Sequence, residues 1–121
     1  MNPSHNLFII GPTGAGKTSI GRRLAAHYGL TFIDLDQEIE RHCGVDVNTV
    51  FEIEGEAGFR QRESTLLEEI SGQHDLLLAT GAGAVLAESN RRCLGGRGYV
   101  VWLQTNIAQQ LERLERDHRP P

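Results

Sequence analysis

The stretch LFIIGPTGAGKTSIGRRL, residues 7–24, joins a short apolar run to a helical pattern through a glycine-rich turn. Leu7 to Ile10 are four consecutive apolar residues, the mark of a short buried strand, and the run stops at Gly11. Gly11, Gly16, Lys17 and Thr18 then meet the Gly-x4-Gly-Lys-Thr spacing of a phosphate-binding loop. Gly14 and Gly16 let the backbone curl so that successive N–H groups face an anion. Ile20, Leu24, Ala25 and Tyr28 recur at helical spacing until Gly29 closes the helix. The positive end of that helix dipole lies where the loop would hold a phosphate. Lys17 suits the β- and γ-phosphates and the Thr18 hydroxyl suits Mg²⁺. The nucleotide-contacting residues are therefore expected to be Gly14, Ala15, Gly16, Lys17, Thr18 and Ser19, with ATP and Mg²⁺ as ligands.

Outward from this loop, strands and helices alternate. A second strand is predicted over Thr31-Phe32-Ile33, running into Asp34-Leu35-Asp36. Helical stretches follow at roughly Gln37–His42, Asp46–Ile53 and Glu56–Ile70, the last carrying Leu66, Leu67 and Ile70 on one side. Leu76-Leu77-Leu78-Ala79 is a third strand, stopped by Thr80-Gly81-Ala82-Gly83. Tyr99 to Leu103 reads as a fourth, and Ile107 to Leu114 as another amphipathic helix. Strands that are apolar throughout, alternating with helices, imply an α/β fold with a parallel sheet covered on both faces.

Composition narrows the function classes. At 121 residues the chain is one domain at most, 1–121. Its 39% hydrophobic and 23% charged residues suit a soluble globular protein. A net charge of −4 with mixed signs argues against a nucleic-acid partner. No apolar run approaches the ~18 residues of a membrane span. The N-terminus lacks the basic and apolar regions of a secretory signal, and Cys43 and Cys93 lack metal-ligand spacing. Together these point to a cytoplasmic protein with two plain thiols.

Three features beyond the loop bear on a second substrate. Asp34 and Asp36, two apart at the carboxyl end of a strand, would share a face and look into one crevice. One carboxylate could position Mg²⁺ while the other takes the proton of an acceptor hydroxyl. Equally, Asp36 could only cap the next helix. Arg60 and Glu63 are neighbours on a helix surface. Spacing leaves open whether they form a plain surface ion pair or a guanidinium oriented towards a substrate carboxylate. The turn Gly81-Ala82-Gly83 would admit a ligand close to the backbone, or serve only as a strand-to-helix connection.

Taken in order, GPTGAGKT at 11–18, DLD at 34–36, FRQRE at 59–63, TGAGAVL at 80–86 and RP at 119–120 resemble the shikimate kinases, small P-loop kinases of aromatic amino-acid biosynthesis. The resemblance runs from the first strand to residue 121 and implies a nucleoside-monophosphate-kinase-like fold. It implies that Asp34 helps Thr18 hold Mg²⁺, and that Asp36 binds the ring hydroxyls and acts as acceptor base. Arg60 would grip the shikimate carboxylate, oriented by Glu63. Gly81, Ala82 and Gly83 would line the ring, and Phe51 and Phe59 would wall the pocket. The implied catalytic residues are Lys17, Asp36 and the lid arginine Arg119, and the product is shikimate 3-phosphate. Gluconate kinases share the fold, and a non-catalytic nucleotide-binding fragment is the reading from another class.

Two positions depart from the family pattern. The glycine turn normally has three glycines in a row, and here the middle one is Ala82. If that position needed a positive φ, alanine would cost on the order of 1 kcal/mol; otherwise the added methyl would only crowd the substrate. The family also continues past its Arg-Pro segment into a lid, a further strand and a final helix, whereas this sequence stops at Arg119-Pro120-Pro121. The expectation is a domain lacking the last strand and helix, slow and prone to self-association, where a complete kinase would be a monomer.

Overall fold

The computed structural model describes residues 5–11 and 17–103. Gly14, Ala15, Gly16, Arg119 and the helix expected at 107–114 lie outside them.

The chain order is β1 (Asn6–Ile10), α1 (Lys17–Tyr28), β2 (Thr31–Asp34), α2 (Leu35–Cys43), α3 (Val47–Ser71), β3 (Leu76–Thr80), a 3₁₀ turn (Ala82–Leu86), α4 (Glu88–Arg97) and β4 (Gly98–Trp102). Among the described residues, four strands pair in parallel in the order β2-β3-β1-β4. Parallel neighbours need crossover connections, so helices must lie over the sheet faces. Because successive strand residues point to opposite faces, each apolar run feeds two cores. Phe8, Ile10, Leu76 and Leu78 join Leu35, Ile39, Phe59, Leu67 and Leu94 on the side of α2, α3 and α4. Leu7, Ile9, Leu77 and Phe32 join Ile20, Leu24 and Ala25 on the side of α1. Both faces are covered over the central strands β1 and β3, as their uninterrupted apolar runs require.

β1 and β3 sit at the centre and are almost wholly buried. β4 differs from the fully buried strand expected of it: Tyr99 and Trp102 are about three-fifths exposed, at 59% and 58%. It pairs with β1 on one side and, among the described residues, with nothing on the other. α4 was not anticipated. Its sequence ESNRRCLGGR buries Asn90 and Leu94 but offers no sustained apolar stripe.

Two helical stretches read from the sequence between 46 and 70 are one element bent at Gly55, whose φ of 74° and ψ of 179° interrupt the helix. That region of backbone space is essentially closed to residues with a Cβ. Asp46 caps the element, its carboxylate accepting from the Thr49 N–H at 2.8 Å.

Candidate active site

The carboxyl ends of the parallel strands gather at one edge of the sheet, where open α/β folds place their ligands. At that edge β1 is tied on both sides. The Gly11 N–H donates to the Thr80 carbonyl at 3.2 Å, and the Leu103 N–H donates to the Ile10 carbonyl at 2.8 Å. The end of β1 is thus a fixed point, and α1 begins at Lys17. Thr18 and Ser19 follow in the exposed first turn of α1, where the helix has free N–H groups and positive potential.

Asp34 and Asp36 are not two positions of one strand. Asp34 closes β2 and is the N-cap of α2, its Oδ1 accepting from the Gln37 N–H at 3.2 Å. Asp36 lies in the first helical turn and is half-buried. The helix begins at Leu35 because an aspartate satisfies the open N–H groups there, so the strand ends earlier than the apolar pattern suggested. The cap is therefore Asp34, not Asp36. The common-face reading falls, and the two carboxylates reach the carboxyl edge from different elements.

Arg60 and Glu63, one turn apart on α3, do not form an ordinary surface pair. Arg60 Nη1 donates to both Glu63 carboxylate oxygens, at 2.9 and 3.1 Å, and Glu63 is buried. Burial pushes the Glu63 carboxyl above its ordinary range, with the Asp36 charge adding to the rise and Arg60 opposing it. That coupling places Asp36 within electrostatic reach of the Arg60–Glu63 pair. Arg60 also lies over the Phe59 ring at 5.2 Å, and Phe59 stacks on Phe51 with ring centroids 4.4 Å apart. Arg60 Nε is buried, finds no hydrogen-bond partner among the described residues, and stands 3.9 Å from a Glu56 carboxylate oxygen.

Gly83 is the floor beneath this guanidinium. A Cβ there would lie 2.6 Å from Arg60 Nη1 and 2.7 Å from Cζ. Gly81 caps the 3₁₀ turn with φ −75°, and Ala82 is its first residue, so helical backbone at that position removes the conformational cost that a positive φ would have imposed. Arg60, Glu63 and Gly83 line a cavity of about 250 Å³. The larger cleft, about 500 Å³, lies between α2 and α3 and is lined by Ile39, Cys43 and Gln61, not by Arg60, Glu63 or Gly83. Among the described residues no cluster of His, Cys, Asp and Glu could hold a metal by itself, and no helix is long and apolar enough to cross a membrane.

A Lys-Thr helix start and an arginine held by a buried carboxylate over a glycine are thus carried by one end of the sheet. The family model described as shikimate kinase matches residues 13–121. The chain belongs to the shikimate kinase family. A shikimate kinase of Colwellia psychrerythraea is 50% identical over 121 residues, covering 100% of this chain and 70% of the relative. One of Methylococcus capsulatus is likewise 50% identical over 121 residues, covering 68% of the relative. Among solved structures, the shikimate kinase of Acinetobacter baumannii in complex with shikimate superposes with a TM-score of 0.82 at 46% identity, covering 99% of this chain and 67% of that one. The parallel sheet and its helices are those of the P-loop, nucleoside-monophosphate-kinase-like fold of this family.

Sequence reasoning missed two features near the site. One is the Glu54–Arg62 pair that spans Gly55. The break at Gly55 itself falls between the two helical stretches read from the sequence, 46–53 and 56–70. The other is Thr80, a buried residue whose hydroxyl has no hydrogen-bond partner among the described residues.

Proposed function

We propose that this chain transfers the γ-phosphoryl group of ATP to the 3-hydroxyl of shikimate, giving shikimate 3-phosphate and ADP. The observation that carries the reading is the placement of Arg60, held by buried Glu63 and resting on Gly83 at the end of the sheet where α1 begins. A planar guanidinium fixed in this way matches a carboxylate, and shikimate carries one on its ring. Asp36 takes the proton of the attacking hydroxyl while its oxygen bonds to the γ-phosphorus and ADP leaves. Gly81, Ala82 and Gly83 line the ring, with Phe51 and Phe59 as an apolar wall. Lys17 follows the charge on the transferred group, and Gly14, Ala15, Gly16, Thr18 and Ser19 complete the nucleotide cradle. Arg119 is the arginine we assign to the transferred phosphate.

Magnesium fits this donor set. It is a hard cation that binds one or two protein oxygens and takes the rest from phosphate and water. Thr18 and Asp34 offer oxygen donors at the carboxyl edge, and the metal would neutralise charge on the β- and γ-phosphates. Two free thiols, Cys43 and Cys93, suit the reducing cytoplasm in which we place the reaction. The test is label transfer from γ-labelled ATP to a panel of acceptors. Shikimate should become labelled, while gluconate and the acceptor-free blank should not. Preferential labelling of gluconate would overturn the assignment.

A further inference from the structure

We propose that the Glu54–Arg62 ion pair is a positioning clamp for the acceptor pocket, holding α3 bent at Gly55 so that Phe51 stays stacked on Phe59 beside Arg60. The clamp rests on the reading of Arg60 as the acceptor-binding arginine. Arg62 Nε and Nη2 donate to the two Glu54 oxygens at 2.5 and 2.7 Å, a two-point contact between residues eight apart. In an unbroken helix, residues eight apart stand over two turns from each other, beyond the usual three- and four-residue partners. Here the pair closes because Gly55 turns the chain between them. Gly58 makes room for it, since a Cβ there would come within 2.6 Å of Glu54 Cβ.

The bend has a consequence at the site. The segment before Gly55 carries Phe51, and the segment after it carries Phe59, Arg60 and Glu63. Phe51 and Phe59 meet across the bend at 4.4 Å and 29°, and the Arg60 guanidinium lies over the Phe59 ring. On the proposed reading of Phe51 and Phe59, the wall beside Arg60 is thus drawn from both limbs of α3, and the angle between the limbs sets it. Glu54 lies one turn after Phe51, and Arg62 two residues after Arg60. The ion pair therefore joins the limbs next to the residues they present. Both side chains are partly exposed, at 32% and 46%, so the pair guides geometry more than it supports the global fold.

The test uses Arg62→Gln, Glu54→Gln and the double variant. Shikimate and ATP dissociation constants are measured by calorimetry, and amide hydrogen exchange is followed along α3. Each single variant should weaken shikimate binding by about twofold to fivefold, the span of a well-formed surface pair, and leave ATP binding unchanged. The double variant should be no worse than either single one, because both remove the same contact. Exchange should quicken at 47–54 and stay unchanged in α1 and β3. Unchanged shikimate affinity, additive losses, or equal losses for ATP would overturn the clamp. Arg60→Lys is the control: if it leaves shikimate binding intact, the acceptor reading itself fails, whatever the clamp variants do.

Discussion

Gly83→Ala places a methyl group where the Arg60 guanidinium now rests. The added carbon would stand 2.6 Å from Nη1 and 2.7 Å from Cζ, against the ~3.5–4.0 Å of ordinary contact. The guanidinium must retreat by about 1 Å. It is the far end of a flexible side chain, so it swings away while the backbone of the 3₁₀ turn and the core around Phe59 and Leu67 stay in place. Its bonds to Glu63, at 2.9 and 3.1 Å, do not survive such a shift. A hydrogen bond to a charged group is worth about 1.5–3 kcal/mol. With about 1.4 kcal/mol per factor of ten, misplacing the carboxylate grip should weaken shikimate binding about tenfold to a hundredfold. Calorimetric titration with shikimate, and separately with ATP, measures this on one preparation. Shikimate affinity within twofold of the parent would refute the reasoning, as would an equal loss for ATP.

Lys17→Ala should weaken ATP binding and abolish transfer while the chain remains folded, as checked by nucleotide titration and circular dichroism; undiminished ATP–Mg²⁺ affinity would remove the phosphate-site assignment. Asp36→Asn should impair shikimate binding or transfer with ATP affinity intact, whereas Asp34→Asn should shift the Mg²⁺ dependence. Asparagine caps helices as well as aspartate does, so Asp34→Asn should leave thermal stability near the parent value. Glu63 has a raised native pKa, so its contribution to stability is full below the ordinary carboxylate range and is lost as pH rises through the native value. The melting temperature of the parent minus that of Glu63→Gln should therefore fall with rising pH over that interval; a flat difference would contradict the burial of a titrating carboxyl.

Legibility in the sequence followed the physics of each element. β1 and β3 are central strands buried on both faces, so LFII and LLLA announced them without a competing pattern. The same logic overstated β4, because an apolar run does not reveal which strand lies at an edge. α4 escaped notice because only Asn90 and Leu94 are buried along it, and Gly95 and Gly96 weaken any helical reading. Among the candidate site residues, the helix that carries Arg60 and Glu63 was legible, and the element that carries Asp36 was not. DLD looked like the end of a strand, yet Asp34 as N-cap moves Asp36 into a helix. The Arg60–Glu63 contact followed from spacing, but the burial of Glu63, which separates an oriented guanidinium from a surface pair, depends on packing. The seat of Arg60 on Gly83 joins residues distant in sequence and has no local signal.

The most direct test of the central claim, that Arg60 is set to grip the carboxylate of the acceptor, is a calorimetric comparison of shikimate with its methyl ester on the parent chain. The ester keeps the ring and its hydroxyls but removes the charge that Arg60 is placed to meet. The account predicts that shikimate binds and that the ester binds at least about tenfold more weakly, the loss of one charge-assisted contact. Equal affinity for the two, or no binding of shikimate, would contradict it.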